Sequence, residues 1–112
     1  MIKVNLIYNK DIFKGFEITG HADYDEHGKD IVCAAVSMLA YTSVNSLDSY
    51  NYEVEFSDDE ETMKLLVENP SHDSEVILNT FSTGIWTLTQ SYSDFVEAYK
   101  TIIWGDINDF KY

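Results

Sequence analysis

Cysteine and proline are almost absent from this chain of 112 residues, which contains only Cys33 and Pro70. One cysteine cannot form a disulfide within the chain, so a disulfide-stapled fold is excluded and a reducing compartment is favoured. No internal repeat, linker or low-complexity segment interrupts the pattern. We therefore expect a single domain over residues 1–112, and a domain of this size can bury a sizeable core.

Basic residues are also scarce: there are seven lysines and arginines against twenty acidic residues, a net charge of −13. Such a charge repels nucleic-acid phosphates and anionic membrane surfaces, and no basic stripe offsets it. Direct binding to nucleic acid is therefore disfavoured. The acidic surface would attract a basic partner, although it equally serves solubility, and charge alone does not separate the two interpretations.

Long apolar runs are missing as well, and from the sequence we expect no membrane-spanning segment. Residues 1–5 lack the charged and apolar regions of a signal peptide and have the pattern of a strand. Hydrophobic residues make up 45% of the chain, which is too many for a disordered protein. These features predict a globular cytoplasmic protein.

The spacing of apolar residues predicts five strands and two helices. Alternation typical of strands runs through residues 1–8, 13–20, 50–57, 62–68 and 94–104. Helical spacing covers about 30–49 and 71–92. Short connections favour antiparallel hairpins, so we predict an α+β fold of order β-β-α-β-β-α-β, with two helices packed on one face of a mostly antiparallel sheet.

Three further expectations follow from this pattern. The first helix begins with an almost wholly apolar half, which predicts a helix buried on most of its sides. Gly84 lies inside the second helix, where it would permit close approach of the other helix. The last strand is apolar on both faces, and an exposed strand of that kind pairs readily with another chain, so a homodimer is predicted.

The segment from Gly20 to Ser37 brings together the residue types that carry chemistry. It contains His21, His27 and Cys33. His21 ends a strand, a polar loop follows, and Asp30 occupies the N-cap position of the first helix. Cys33 therefore lies in the first turn of that helix. There, free backbone N–H groups and the helix dipole favour a thiolate, and an imidazolium from His21 would favour it further.

Ser37 lies one helical turn after Cys33 on the same face. Its hydroxyl could hydrogen-bond the sulfur or orient His21. Asp30, as an anion, would raise the pKa of the thiol slightly, although its carboxylate more plausibly caps the Cys33 N–H. This spacing predicts a nucleophilic cysteine with a histidine base.

Other interpretations remain open from the residues alone. A single cysteine among valine, alanine and isoleucine is commonly a small buried hydrophobe. In that case the protein is a non-enzymatic binding or redox-sensing module with a structural cysteine. A metal site formed by His21, His27, Cys33 and Asp30 has the required ligand types but lacks a C-x-x-C pair, so no metal is predicted.

A longer motif in the same segment resembles the signature of the ribosomal-processing cysteine protease family, also called Prp. The motif is G-H-A, five residues, G, one residue, then D-I-V-C-A-A-V-S, and it ends at Ser37. The resemblance implies a bacterial endopeptidase that removes a short N-terminal extension from large-subunit ribosomal protein number twenty-seven. It also implies a homodimer and the same order of strands and helices.

The resemblance places catalytic roles on His21 and Cys33 and supporting roles on Asp30 and Ser37. It implies a mobile loop that contacts substrate, formed by Ala22, Asp23, Tyr24, Asp25, Glu26, His27, Gly28 and Lys29. In such a mechanism the backbone N–H groups of Cys33 and Ala34 would stabilise the oxyanion. No cofactor is expected, and the acidic surface suits a basic ribosomal substrate.

Overall fold

The sheet and helices follow the predicted order in the computed structural model, which describes residues 1–26 and 29–103. The elements are β1 (Ile2–Asn9), β2 (Ile12–Thr19), α1 (Ile31–Ser49), β3 (Val54–Asp58), β4 (Thr62–Val67), α2 (His72–Ser91) and β5 (Val96–Ile103). The predicted β-β-α-β-β-α-β order is therefore confirmed.

The five strands form one sheet in the order β3-β4-β2-β1-β5. Three of the four strand pairs are antiparallel, as the short connections predict, so the sheet is mostly antiparallel. The exception is β5, which runs parallel to β1, from Ile2 beside Val96 to Asn9 beside Ile103. A parallel neighbour requires a crossover, and α2 supplies it.

Both helices pack on one face of this sheet and share a single hydrophobic core. Phe16 of β2 stacks on Phe81 of α2 with ring centroids 4.1 Å apart. The buried stripe of α1 consists of Val32, Val36, Ala40, Ser43 and Leu47. The expectation that α1 is buried on most sides was wrong, because Ile31 and Met38 are 55% and 68% exposed. In a two-layer fold an outer helix has only one stripe to bury.

By length and composition, α1 is apolar enough to cross a membrane, so the expectation that the chain contains no such segment was too strict. Its buried stripe belongs to the same core cluster as residues of β1, β2 and β4. The apolar residues of α1 therefore serve to pack this helix against the sheet of its own domain.

The two helices approach each other closely at Gly84. A Cβ atom at this position would lie 2.6 Å from Cδ2 of Leu39 in α1. The prediction that Gly84 permits close approach of the helices is confirmed.

Two strand starts differ from the prediction by two residues or more. The third strand begins at Val54 instead of residue 50, because the C-terminal turn of α1 continues through Tyr52, whose N–H donates to the carbonyl of Leu47. Asn51 adopts a left-handed conformation in that turn. The last strand begins at Val96, and its predicted final residue, Trp104, lies outside the described residues together with the tail 105–112.

Candidate active site

His21 is positioned by the end of β2. The strand ends at Thr19, and Gly20 then takes a left-handed conformation with φ of 83°. A Cβ atom on Gly20 would lie 2.3 Å from the carbonyl oxygen of Met1, so only glycine fits this turn. The Met1 amine donates to the carbonyl oxygen of His21 at 2.6 Å. The backbone of His21 is held in place while its side chain is exposed.

Cys33 is positioned by the N-cap of α1. Asp30 has an extended backbone, and its Oδ1 accepts hydrogen bonds from the N–H groups of Val32 and Cys33, both at 3.0 Å. The predicted cap is confirmed. It fixes the first turn of the helix, and with it the direction of the Cys33 side chain.

The second carboxylate oxygen of Asp30 holds the preceding loop. Oδ2 accepts from the N–H groups of Tyr24, at 2.9 Å, and Asp25, at 3.4 Å. Desolvation raises the pKa of the Asp30 carboxyl, but the hydrogen bonds from Cys33, Tyr24, Asp25 and Val32 outweigh it and hold the pKa below its ordinary value. Asp30 is therefore an anion that joins loop and helix.

A single cleft of about 440 Å³ contains all four residues to which the sequence assigned catalytic or supporting roles. Its lining residues are His21, Asp23, Asp25, Asp30, Cys33, Ala34 and Ser37. Three carboxylates therefore surround the histidine and the thiol.

The other predicted loop residues have different positions. Ala22 is buried in the core, at 3% exposure. Glu26 and Lys29 form an exposed ion pair at 3.7 Å. Tyr24 turns its ring toward Tyr92 and Phe95. The two remaining members, residues 27 and 28, lie outside the described residues.

The electrostatics of the thiol differ from the prediction. Burial raises the pKa of the Cys33 thiol above its ordinary value, and the Asp30 carboxylate raises it further through its charge and as a hydrogen-bond acceptor. The charge of Asp23 acts in the same direction, while the backbone N–H of Ala22 opposes it. The expectation of a thiol activated by the helix terminus was wrong for this conformation, because burial and the carboxylates of Asp30 and Asp23 outweigh the hydrogen bond from the backbone N–H of Ala22.

His21 and Cys33 line the same cleft but are not hydrogen-bonded to each other. Among the hydrogen bonds of residues 1–26 and 29–103, none joins the His21 imidazole to the Cys33 sulfur. In catalytic sites without substrate such hydrogen bonds are often long or poorly aligned and tighten only when substrate binds.

The two N–H groups predicted to bind an oxyanion already have acceptors. Cys33 N–H donates to Oδ1 of Asp30, and Ala34 N–H donates to the Asp30 carbonyl at 3.1 Å. An N–H engaged in this way has little capacity for a second acceptor. The structure therefore does not support the prediction that Cys33 and Ala34 form the oxyanion site in this conformation.

Ser37 is exposed on α1 and lines the cleft beside Cys33. Within the described residues its hydroxyl makes no side-chain hydrogen bond, unlike Ser43, whose hydroxyl donates to the carbonyl of Leu39 at 2.7 Å. Ser37 thus has a hydroxyl available to orient a neighbouring group.

For the metal alternative, the described part of the chain contains no group of three or more histidine, cysteine, aspartate or glutamate side chains able to hold a metal ion. His27, one of the four ligands in that hypothesis, is outside it. Both oxygens of Asp30 are engaged by backbone N–H groups.

Comparison with known proteins identifies the family. A family model described as cysteine protease Prp matches residues 1–97. A ribosomal processing cysteine protease Prp from Staphylococcus aureus is 30% identical over 86 residues, which are 72% of this chain and 81% of that protein. The chain belongs to the cysteine protease family Prp. By family it is a peptide hydrolase.

Two solved structures have the Prp-like fold seen here. The ribosomal processing protease Prp from S. aureus, in complex with a covalently linked product peptide, superposes with a TM-score of 0.84 at 24% identity and covers 90% of this chain and 100% of its own. A protein from Streptococcus mutans gives 0.74 at 31% identity and covers 91% and 98%.

Sequence reasoning missed two contributors to the Prp site. One is the backbone N–H of Ala22, which no side-chain pattern could reveal. The other is the aromatic contact of Tyr24 with Tyr92 and Phe95. The cluster of aromatic residues at the end of α2 was a visible signal, but only the fold shows that it faces the loop.

Proposed function

We propose that this chain is a cysteine endopeptidase that removes the N-terminal extension of ribosomal protein number twenty-seven of the large ribosomal subunit. One observation carries the proposal: a single cleft contains His21, Asp30, Cys33 and Ser37. Membership in the Prp family and the name of the S. aureus relative support the ribosomal substrate. The product peptide covalently linked to the S. aureus enzyme is consistent with an acyl-enzyme mechanism.

His21 acts in this mechanism as a general base at the moment of attack. It takes the proton from the Cys33 thiol as the sulfur bonds to the scissile carbonyl carbon. The tetrahedral intermediate then collapses, His21 gives the proton to the leaving amine, and the C–N bond breaks. Water, deprotonated by His21, attacks the thioester and releases the acid while the proton returns to the sulfur.

The raised pKa of the thiol distinguishes this route from a preformed thiolate–imidazolium pair. Burial and the charges of Asp30 and Asp23 raise the pKa of the sulfur in the free cleft and so favour its protonated form. In this route proton transfer to His21 accompanies attack, and the thiolate forms as the sulfur meets the substrate carbonyl.

Asp30 and Ser37 support the pair in different ways. Asp30 makes four backbone hydrogen bonds that hold the loop on the first turn of α1. The Ser37 hydroxyl, exposed in the cleft, orients His21 once the imidazole approaches Cys33. Neither residue needs to exchange a proton with substrate.

The charge of the whole chain agrees with the proposed partner. Ribosomal proteins are basic, and a net charge of −13 attracts a cationic chain over distances of about a Debye length. A ribosomal substrate of bacteria also places the enzyme in the cytoplasm. The mechanism uses side chains of this chain alone and requires no cofactor.

The competing function is a binding or redox-sensing module with a structural cysteine. The raised pKa of Cys33 is the observation that favours it, because a protonated and partly buried thiol reacts slowly. Such a module would not cleave peptides, and this difference decides between the two.

The deciding experiment incubates the full chain with a synthetic peptide that carries the N-terminal extension, and mass spectrometry follows cleavage. We expect the wild type to cleave, Cys33→Ala to be inactive but folded, and His21→Ala to lose several orders of magnitude in kcat, since base and nucleophile act as a unit. His72→Ala is the matched control, because His72 is an exposed histidine at the start of α2.

Ser37→Ala should lose an intermediate amount of activity, with Ser46→Ala on the same helix as its control. Equal cleavage by wild type and Cys33→Ala would contradict the protease mechanism. A wild-type protein that leaves the peptide intact but binds it would favour the module.

A further inference from the structure

Tyr24 makes contacts that the proposed mechanism does not use. Its ring meets Tyr92 edge to face, with centroids 5.6 Å apart, and meets Phe95 in the same way at 5.0 Å. Edge-to-face pairs at these separations are attractive. Although Tyr24 is 43% exposed, its ring contacts two partners about seventy residues away in the sequence.

The two partners form a firm support. Tyr92 ends α2, and its N–H donates to the carbonyl of Leu88 at 2.8 Å. Phe95 N–H donates to the carbonyl of Tyr92 at 2.9 Å, and the carbonyl of Phe95 accepts from Ile2 N–H at 2.8 Å. The segment between α2 and β5 is therefore tied to both the helix and the sheet.

The backbone next to Tyr24 leads directly to the nucleophile. Ala22, two residues earlier, is buried, and a hydrogen bond from its backbone N–H opposes the rise in the pKa of the Cys33 thiol. Tyr24 N–H donates to Oδ2 of Asp30, whose Oδ1 accepts from Cys33 N–H. Tyr24 is thus connected to Cys33 by two routes: along the backbone to Ala22, and through hydrogen bonds to the Asp30 carboxylate.

Asp23, between these two fixed points, has a left-handed backbone with φ of 55°. This conformation is uncommon for a non-glycine residue, although aspartate adopts it more readily than most, and it persists where the surroundings favour it. The buried methyl of Ala22 supplies one fixed point and the ring of Tyr24 supplies the other. Without the ring, Asp23 would be free to relax to an ordinary conformation, and the N–H of Ala22 would move from the sulfur.

We propose that Tyr24 is a positioning residue for the thiol reaction: its ring, seated against Tyr92 and Phe95, fixes residues 22–25 over Cys33. The proposal rests on the proposed function, since it concerns the same site. It assigns Tyr24 no contact with substrate and no proton transfer. The ring, rather than the phenol hydroxyl, carries the effect.

The experiment compares the full-length wild type with Tyr24→Ala and Tyr24→Phe in two assays. The first is cleavage of the extension peptide, resolved into kcat and KM. The second is alkylation of Cys33 by iodoacetamide at one fixed pH, which needs no substrate and reports a single site because the chain has no other cysteine. Tyr50→Ala is the matched control, since Tyr50 is 62% exposed at the far end of α1.

We expect Tyr24→Ala to lower kcat/KM about tenfold, mainly through kcat, because misplaced groups slow the chemical step. The same variant should be alkylated severalfold faster, because the loop no longer covers the sulfur. Tyr24→Phe and Tyr50→Ala should match the wild type in both assays. Near-ultraviolet circular dichroism checks that each variant is folded.

Phe95→Leu is the second variant, since it removes the nearer of the two ring partners and leaves Tyr24 in place. It should change both assays in the same direction as Tyr24→Ala, and the double variant should lose little more than Tyr24→Ala, because both substitutions break the Tyr24–Phe95 contact. Tyr24→Ala that equals the wild type in both assays would overturn the proposal, as would an equal loss in Tyr24→Phe. If the wild type does not cleave, the proposed function fails, while alkylation still decides the role of Tyr24.

Discussion

At the scale of single residues, the surroundings of the Cys33 thiol act against the position that the helix gives it. The chain places it in the first turn of a helix, where backbone N–H groups favour an anion. Those N–H groups, however, are already engaged by Asp30, and the carboxylate brings its own negative charge next to the sulfur. The cap that builds the helix therefore also adds to the effect of burial in raising the pKa of the thiol.

The first prediction concerns this thiol. The rate of iodoacetamide modification should rise with pH and inflect above the ordinary thiol pKa, because burial, Asp30 and Asp23 all disfavour the thiolate. Asp23→Asn should move the inflection to lower pH, since it removes one of the negative charges. Asparagine tolerates the left-handed backbone at this position, so the loop should be retained.

Asp11→Asn is the control for that measurement. Asp11 is exposed in the β1–β2 turn, at the opposite end of β2 from His21 and roughly 30 Å away by strand rise. Asp11→Asn removes one negative charge, as Asp23→Asn does, but far from the Cys33 sulfur. The pH of the inflection should therefore stay unchanged. An inflection below the ordinary thiol value in the wild type would contradict the raised pKa.

At the scale of elements, the start of α1 joins three parts of the fold. Asp30 caps the helix, holds the loop through Tyr24, and ends the connection that begins after β2 and contains His21. The other contact that sets the position of α1 is its crossing with α2, where Leu39 lies over Gly84. The Asp30 carboxylate and the absence of a side chain at Gly84 thus both help to position α1, the helix that carries Cys33.

The second prediction concerns the cap. Asp30→Ala should lower the free energy of unfolding by about 1 kcal/mol, the usual effect of losing an N-cap, measured by urea unfolding at neutral pH. The pKa of Asp30 is lowered in the folded state, so the ionised carboxylate stabilises the fold above its unfolded pKa of about 3.9. That contribution is lost as the pH falls through the lower, folded-state pKa.

Asp30→Asn separates the two parts of this effect. Its amide oxygen can still accept from Val32 and Cys33, so much of the cap should remain, but the contribution that titrates should disappear. A wild-type acid-unfolding profile identical to that of Asp30→Asn would contradict the pH dependence.

The third prediction concerns the helix crossing. Gly84→Ala would ordinarily stabilise a helix by up to about 1 kcal/mol. Here the new methyl would meet Leu39, and overpacking of a filled contact costs roughly 1–3 kcal/mol, so we expect a net loss of stability of about 1 kcal/mol. In a Leu39→Ala background the same substitution should stabilise the protein. Thermal unfolding of the four proteins tests this; a gain in both backgrounds would show that the contact is not tight.

At the scale of the whole molecule, the sheet has one edge with an apolar, accessible strand. The strand order places β5 at that edge, and Tyr99 and Ile102 are 46% and 50% exposed. Unprotected edge strands pair with other chains unless charge or proline prevents it. The predicted homodimer thus has a suitable surface, although it stays a prediction.

The fourth prediction is that the protein is a dimer through β5 at tens of micromolar, a concentration well above an ordinary micromolar dissociation constant. Light scattering would measure its mass. Ile102→Lys should give a monomer that is still folded, because a lysine on an edge strand opposes pairing. A monomeric wild type would refute the prediction, and an unchanged mass in Ile102→Lys would exclude β5 as the interface.

Much of the fold could be predicted because its signals are local. Alternation in Ile2, Val4 and Leu6 marks a strand with one buried face, and Asp30 before an apolar segment marks a helix start. The motif from Gly20 to Ser37 is a contiguous stretch of sequence, and its residues alone point to the Prp family. The site residues of that motif also lie in one cleft, although their catalytic roles stay predictions.

The features that the local sequence pattern could not predict depend on which residues lie close together in the folded chain. The sequence predicted a start of β3 that is too early. The turn at the end of α1 continues to Tyr52 because of one backbone hydrogen bond, which the residue pattern does not reveal. The burial of α1 was overestimated because apolar composition does not say how many neighbours a helix has. Ile31 and Met38 are exposed for that reason.

The sequence by itself determined the order of strands and helices, the cap of α1 and the residues available for chemistry, because each depends on neighbours a few positions away. Only the tertiary structure decided that β5 runs parallel to β1, since strand pairing brings together residues more than ninety positions apart. It also decided the direction of the thiol pKa and the partners of Tyr24. Electrostatic energies depend on separation and burial, and both are properties of the folded chain rather than of spacing along it.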